Sequence, residues 1–259
     1  MQNLKIAAIQ SALYWEDITA NLANFEEKIE QIEHEPHLIL LPEMFNTGFS
    51  MNSKALAEPM NHTTFKWLKM MAEKTKAVIV GSYIVVENNQ YFNRLVWMRP
   101  DNTFETYDKR HLFRMGGENE YFSAGKSRKV ITLNGWNICP LICYDLRFPV
   151  WARNRKNEYD LLIYVANWPQ PRAHVWSNLL VARALENQSF VVGLNRVGTD
   201  GMGLSYSGDS AIIDFKGYTI TTKKIEEDLL FAELSKKELT DFREKFPAYL
   251  DADEFEIIN

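Results

Sequence analysis

The stretch LLIYVA, residues 161–166, decides the fold of this chain, because it is a continuous apolar run without a polar face. A strand of this kind has to be covered on both of its faces. Two further runs have a similar character, KIAAIQS at residues 5–11 and HLILL at residues 37–41. Buried strands that are interspersed with helical segments indicate an α/β protein.

The pattern outside these runs predicts helices that alternate with strands at first, and strands that dominate later. The predicted helices cover about residues 18–33, 63–76 and 174–187, and a further helix begins within residues 150–156. The other predicted strands are residues 77–86, 91–99, 136–144, 190–195, 209–215 and 229–234, with a hairpin turn at Asn88-Asn89. We therefore expect a four-layer α-β-β-α sandwich, although periodicity alone also allows a doubly wound sheet.

Composition narrows the possible classes of protein. The 259 residues contain no change of composition that suggests a linker, and the net charge of -5 gives no attraction to nucleic acid or anionic lipid. No run of 18 apolar residues suggests a membrane span. Cys139 and Cys143 lie on one predicted strand and cannot easily bridge, so we expect a reducing compartment and a cytoplasmic protein.

Three reactive side chains attract attention, although each has a plain structural alternative. Cys143 ends the predicted strand 136–144, where free backbone N–H groups can hold an oxyanion, but most lone cysteines are small buried hydrophobes. Glu43 follows another buried strand and is either solvated or part of a site. Lys109, taken alone, is more often a solvated surface charge. Cys139 keeps the structural interpretation.

Taken together, these residues resemble the three ordered signature blocks of the nitrilase superfamily of carbon-nitrogen hydrolases. The blocks are LPE at 41–43, DKRHLF at 108–113 and ICYDLRFP at 142–149. The resemblance continues through VANWP at 165–169, ARALENQ at 182–188, NRVG at 195–198, and the tail segments REKFP at 243–247 and DADEF at 251–255. The tail is similar to that of the bacterial omega-amidase, or 2-oxoglutaramate amidase, branch.

The resemblance implies a nitrilase-type sandwich formed by one domain, residues 1–259 with a short C-terminal extension. It also implies a thioester mechanism in which Cys143 is the nucleophile and Glu43 is the general base. Lys109 and the N–H of Tyr144 are expected to hold the oxyanion, and Glu118 is expected to orient Lys109. The expected reaction is hydrolysis of the terminal amide of 2-oxoglutaramate or 2-oxosuccinamate.

Substrate-binding residues are expected around these groups. Related carbamoylases use an arginine four residues after the nucleophile for the substrate carboxylate, which points to Arg147. A structural ion pair with Asp145 is an equal alternative for that side chain. The remaining expected pocket walls are Phe49, Phe113, Met115 and Trp168. His111 is expected to be structural, through a backbone hydrogen bond.

The resemblance further implies a homodimer and an enzyme without a metal or organic cofactor. The sequence also lacks a metal-ligand pair such as C-x-x-C. One alternative function is another amidase of the superfamily, acting on deaminated glutathione or an N-carbamoyl amine. A second is a catalytically silent scaffold, which the presence of all three reactive residues disfavours. A papain-like protease would need a histidine partner that the informative segments do not supply.

Overall fold

The structure is a computed structural model that describes residues 2–221 and 225–257. Its helices are α1 (Ile18–Glu30), α2 (Ser53–Leu56), α3 (Thr63–Thr75), α4 (Glu118–Tyr121), α5 (Pro149–Ala152), α6 (Ala173–Asn187) and α7 (Lys236–Lys245). Its strands are β1 (Leu4–Gln10), β2 (Leu38–Leu40), β3 (Val78–Glu87), β4 (Gln90–Met98), β5 (Phe104–Asp108), β6 (Ile131–Leu133), β7 (Trp136–Ile142), β8 (Leu161–Ala166), β9 (Phe190–Asn195), β10 (Val197–Thr199), β11 (Ser205–Ser207), β12 (Ala211–Ile213) and β13 (Asp228–Leu234).

The strands form two large sheets and one small ribbon. The first sheet has the order β13-β1-β2-β3-β4-β5 and the second has the order β12-β9-β8-β7-β6, while β10 and β11 pair separately. The central strands run parallel, β1 with β2 and β3 in the first sheet and β7 with β8 and β9 in the second. Their carboxyl ends therefore lie at one edge of each sheet.

Side-chain alternation shows how the layers are stacked. Leu4, Ile6 and Ala8 of β1 belong to the core that includes the second sheet, whereas Ala7 and Ile9 belong to the core beneath the outer helices. Successive strand residues point to opposite faces, so each central strand is buried on both sides. This arrangement confirms the α-β-β-α sandwich and excludes a single doubly wound sheet.

Helices cover the outer face of each sheet. Apolar residues of α1 and α3 pack on the first sheet, and Trp176, Leu180 and Ala184 of α6 pack on the second. The approach of α6 is close, because a Cβ atom at Gly193 of β9 would lie 2.4 Å from the Leu180 side chain. No helix in the described part of the chain is long and apolar enough to cross a membrane.

Several predicted boundaries were wrong, among them the strand predicted for residues 209–215, which is β12, Ala211–Ile213. Helix α1 ends at Glu30 rather than near residue 33, and strand β7 ends at Ile142 because Cys143 adopts a positive φ of 44°. The helix predicted for residues 150–156 is the single turn α5, Pro149–Ala152. Its extension is prevented because the Asn154 side chain and backbone bind Tyr159 and Asn187, which hold Asn154 extended.

Candidate active site

Cys143 lies at the exit of strand β7, in a backbone conformation that few residues other than glycine adopt. Its φ of 44° turns the chain directly from the strand into a 3-10 helix, Cys143–Arg147. The first N–H groups of a helix have no partner within it. The backbone N–H of Tyr144, the next residue, belongs to this first turn, and the Cys143 sulfur lies 3.9 Å from the carbonyl oxygen of Asn167.

Glu43 and Lys109 reach the same point from the first sheet. Glu43 follows β2 and Lys109 follows β5, and the two side chains are almost completely buried, at 0% and 1% exposure. Lys109 Nζ donates to Glu43 Oε1 at 2.8 Å. The bland interpretation of Lys109 as a solvated surface charge is therefore wrong, because its ammonium is enclosed between the sheets.

Glu118 completes the charged group around Lys109. Lys109 Nζ donates to both Glu118 oxygens, at 3.0 and 2.9 Å. The backbone N–H of Phe113 also donates to Glu118 Oε2, at 2.5 Å. Two carboxylates thus hold one ammonium in a fixed position, while the side chain of Glu120 is exposed at the surface.

Two asparagines bind this group and were not singled out from the sequence. Asn93 of β4 donates to Glu43 Oε1 at 2.8 Å and to Glu118 Oε1 at 3.2 Å, so it bridges the two carboxylates. Asn167, directly after β8, donates its backbone N–H to Glu43 Oε2 at 2.8 Å. Asn167 lies in the segment VANWP, residues 165–169, whereas nothing in the sequence around Asn93 distinguishes it from other strand residues.

Burial and charge set the protonation of the site. Burial, followed by the negative charge of Glu43, raises the pKa of the Cys143 thiol well above its usual value, although Lys109 opposes this. Burial alone would lower the pKa of Lys109, but Glu118 and Glu43 outweigh it and raise the pKa. Burial also raises the pKa of Glu118, against the effect of Lys109. The resting sulfur is therefore a protonated thiol beside a charged ammonium.

Asp145 fastens the turn that carries Cys143. Its carboxylate accepts from the backbone N–H of Ile142 at 3.1 Å, from the Tyr107 hydroxyl at 2.7 Å and from the backbone N–H of His111 at 3.0 Å. The His111 ring contacts the same carboxylate at 2.8 Å and stacks on Phe148. His111 is thus structural as expected, but its ring binds a carboxylate rather than the backbone.

A pocket of about 410 Å³ opens above Cys143 and Lys109. Phe49, Phe113, Trp168 and Arg147 line it, as predicted. Met115 does not, since its side chain is 83% exposed and points away from the cavity. It occupies the 3-10 turn Arg114–Gly116, whose inner side is filled by the Phe113 ring.

Arg147 does not form the alternative ion pair with Asp145. The Asp145 carboxylate is fully buried and bound to Tyr107 and His111, whereas the Arg147 guanidinium lies 5.2 Å from the centre of the Trp168 ring. Within residues 2–221 and 225–257, no group of three or more His, Cys, Asp or Glu side chains could hold a metal ion. Cys139 is buried, and burial raises the pKa of its thiol to about 12.

The fold and this constellation define a carbon-nitrogen hydrolase, and comparison with known proteins agrees. The family model for carbon-nitrogen hydrolases matches residues 5–244, so the chain belongs to that family. Omega-amidase YafV of Escherichia coli K12 is 45% identical over 99% of this chain and 100% of its own length. The 2-oxoglutaramate amidase of Bacillus subtilis is 32% identical over 95% of this chain and 96% of its own.

A solved structure shows the same architecture. XC1258 from Xanthomonas campestris, described as a CN-hydrolase superfamily protein, superposes with a TM-score of 0.97 at 40% identity. The superposition covers 99% of this chain and 100% of that one. The expectation of a nitrilase-type fold is therefore confirmed over almost the whole chain.

Proposed function

We propose that this enzyme is an omega-amidase that hydrolyses the terminal amide of a short 2-oxo acid. The substrates in view are 2-oxoglutaramate and 2-oxosuccinamate, and the products are the dicarboxylate and ammonia. One observation carries the proposal: Lys109 and Cys143 line one pocket, and the fully buried Glu43 contacts both of them. The full-length similarity to an omega-amidase supports the choice of branch.

Acylation begins when the Cys143 sulfur attacks the amide carbon. Because the thiol is protonated at rest, a base has to take its proton during attack, and Glu43 is the neighbouring carboxylate. The tetrahedral oxyanion is held by Lys109 and by the N–H of Tyr144; one such donor typically contributes about 3 kcal/mol. Glu43 then returns the proton to the amide nitrogen, the C–N bond breaks, ammonia leaves and a thioester remains.

Deacylation uses the same carboxylate in the reverse order. Glu43 takes a proton from a water molecule, whose oxygen attacks the thioester carbonyl and again forms an oxyanion beside Lys109. The C–S bond breaks, the acid product leaves, and the proton returns to the sulfur. Glu118 and Asn93 keep Lys109 and Glu43 aligned through both steps, through the hydrogen bonds they make.

Arg147 is proposed to bind the carboxylate of the substrate. Its guanidinium lines the pocket over the Trp168 ring, within the same cavity as Cys143. A planar guanidinium fork matches a carboxylate in a bidentate way. Phe49, Phe113 and Trp168 supply apolar walls around the short carbon chain.

Ammonia release tests this function directly. Wild type and Cys143→Ser are assayed with 2-oxoglutaramate, succinamate, glutamine and deaminated glutathione. We expect release that depends on Cys143 and is fastest with 2-oxoglutaramate. If a different amide is preferred while Cys143 stays essential, the branch is wrong; no release from any amide would instead support a silent scaffold.

We also propose a homodimer, a cytoplasmic location and a single catalytic domain over residues 1–259 with a short C-terminal extension. Support for pairing comes from exposed apolar side chains on α5 and α6, where Val150 is 55% and Leu185 is 51% exposed. Trp151 of α5 and Trp176 of α6 are buried within the single chain and are not part of this exposed surface. Two free cysteines are compatible with a reducing compartment.

A further inference from the structure

A second arginine, Arg172, lines the pocket together with Arg147. The Arg172 guanidinium lies 5.2 Å from the centre of the Phe113 ring, and that of Arg147 lies 5.2 Å from the centre of the Trp168 ring. Neither guanidinium forms an ion pair with any residue that the structure describes. Both therefore offer unused hydrogen-bond donors within the cavity that contains Cys143.

Most of the other enclosed arginines in the described residues bind a carboxylate, although the fully buried Arg196 does not. Arg94 and Arg243, for example, bind the carboxylates of Asp108 and Asp160. A buried or half-buried charge without a partner costs free energy. Two such charges in one pocket indicate that their partner is an anion brought by a ligand.

The position of Arg172 is fixed relative to that of Arg147. The Trp168 indole N–H donates to the Arg172 carbonyl oxygen at 2.9 Å, so the ring beneath Arg147 also holds the Arg172 backbone. The Trp168 backbone N–H is itself bound to Asn195 at the end of β9. The two arginines come from different segments but contact the same Trp168 side chain, Arg147 over its ring and Arg172 through its backbone carbonyl.

Arg172 also stands at a place where a cation is electrostatically disfavoured. It is the residue immediately before α6, makes no side-chain cap, and no acidic residue lies in the first turn of that helix. The N-terminus of a helix carries partial positive charge, so an arginine there adds to a potential that already favours anions. Stability of α6 alone does not explain this choice of residue.

Two acidic residues that line the pocket, Asp200 and Glu16, do not pair with the arginines. Asp200 accepts from the backbone N–H groups of Met202 and Leu204 and from the Tyr206 hydroxyl. Glu16 accepts from the Ser50 hydroxyl and from Asn52. Both carboxylates are thus used to hold the pocket wall together.

We propose that Arg172 determines specificity by binding, with Arg147, the 2-oxo-carboxylate end of the substrate. This inference rests on the proposed omega-amidase function and assigns the feature of the substrate that is selected. A 2-oxo acid presents three acceptor oxygens side by side, which two guanidinium forks can hold. A 2-amino acid amide such as glutamine carries an ammonium at the same carbon, which two arginines repel.

Steady-state kinetics of Arg172→Gln and Arg172→Lys test the assignment with 2-oxoglutaramate, glutamine and the neutral amide butanamide. For Arg172→Gln we expect KM for 2-oxoglutaramate to rise about 10- to 100-fold, the effect of losing one charge-assisted hydrogen bond. The kcat should change little, and butanamide hydrolysis should stay the same. Arg172→Lys keeps the positive charge but not the planar guanidinium fork, so its KM for 2-oxoglutaramate should lie between those of wild type and Arg172→Gln. The preference for 2-oxoglutaramate over glutamine should narrow in both variants.

Arg114→Gln is the matched control, because Arg114 is exposed and lies outside the pocket lining. It removes one positive charge near the mouth of the pocket and should leave kcat and KM for all three substrates unchanged. Two results would overturn the assignment while leaving the omega-amidase function intact. One is an equal fall in kcat/KM for 2-oxoglutaramate and butanamide in Arg172→Gln, and the other is an unchanged KM for 2-oxoglutaramate. If wild type hydrolyses butanamide but not 2-oxoglutaramate, the proposed function itself fails.

Discussion

At the scale of single residues, burial and neighbouring charges keep the Cys143 thiol of the proposed site neutral. A cationic Lys109 favours the thiolate, whereas burial and Glu43 oppose it, and the opposing effects prevail. This balance depends on the distances and burial around one sulfur atom. The three side chains could be predicted from the sequence, but the direction in which the pKa of the Cys143 thiol is shifted could not.

The thiol titration tests this balance. Thiolate absorbance that depends on Cys143, measured as wild type minus Cys143→Ser, should be absent at pH 7 and remain small through pH 9. The sign follows because a raised pKa lowers the thiolate fraction at every pH below it. Cys139 should contribute little, since burial raises its pKa to about 12. A Cys143 thiolate present at neutral pH would contradict the account.

The role of Glu43 is tested by Glu43→Gln, which keeps the shape of the side chain but cannot accept the proton. We expect kcat to fall by at least about 100-fold, the lower range for general acid–base catalysis. Both thioester formation and thioester hydrolysis should slow in rapid-quench experiments. A thioester that still forms and breaks down rapidly in this variant would exclude Glu43 as the base.

At the scale of elements, strand exits create the site. Runs of apolar residues predicted β1, β2, β8 and β9, and the motif residues follow the strands because polar groups are tolerated there. The predictions missed β5, whose sequence FETYD is short and half polar, and α7, whose sequence KKELTDFREK is mostly charged. Asn93 was missed because it lies inside a strand, where alternation cannot distinguish a site residue from a core residue.

The turn after β7 provides a prediction at this scale. Asp145→Asn replaces one acceptor oxygen by an NH2 group, which then faces either the donors of Ile142 and Tyr107 or the donor of His111. We expect a loss of about 2 kcal/mol in the free energy of unfolding and a lower kcat, because the turn carries Cys143. Urea unfolding and steady-state rates measure the two effects.

Tyr107→Phe is the comparison for that variant. It removes one of the hydrogen bonds to Asp145 and leaves the carboxylate charged, so kcat should fall less than in Asp145→Asn. The lost hydroxyl also accepts from the Trp151 indole N–H and the Arg110 backbone N–H, so the free energy of unfolding should fall as well. If Asp145→Asn is as stable and as active as wild type, the carboxylate does not hold the turn.

At the scale of the whole molecule, two sheets from distant parts of the chain form one pocket. Glu43 and Lys109 come from the first sheet, and Cys143 comes from the second. The layered class was predictable because the central strands are apolar on both faces. The convergence of the three side chains was not predictable from periodicity, because periodicity carries no information on how two sheets face each other. The family resemblance predicted it instead.

Pairing of whole chains is predicted to use α5 and α6. Sedimentation velocity should give a dimer for wild type and a monomer for a Val150→Glu, Leu185→Glu double variant, because buried carboxylates without partners are costly. Met70→Glu changes an apolar residue of similar exposure, 45%, on α3 in the opposite outer layer, and this variant should stay dimeric. A monomeric wild type, or a dimeric double variant, would refute this surface.

The most direct test of the central claim is the mass of the protein during turnover. Rapid acid quench of wild type with 2-oxoglutaramate, followed by intact-protein and peptide mass spectrometry, should show one added acyl group on the peptide that contains Cys143. Cys143→Ser should show no thioester and no comparable ammonia release. Turnover without any adduct, together with near wild-type activity of Cys143→Ser, would contradict the cysteine mechanism.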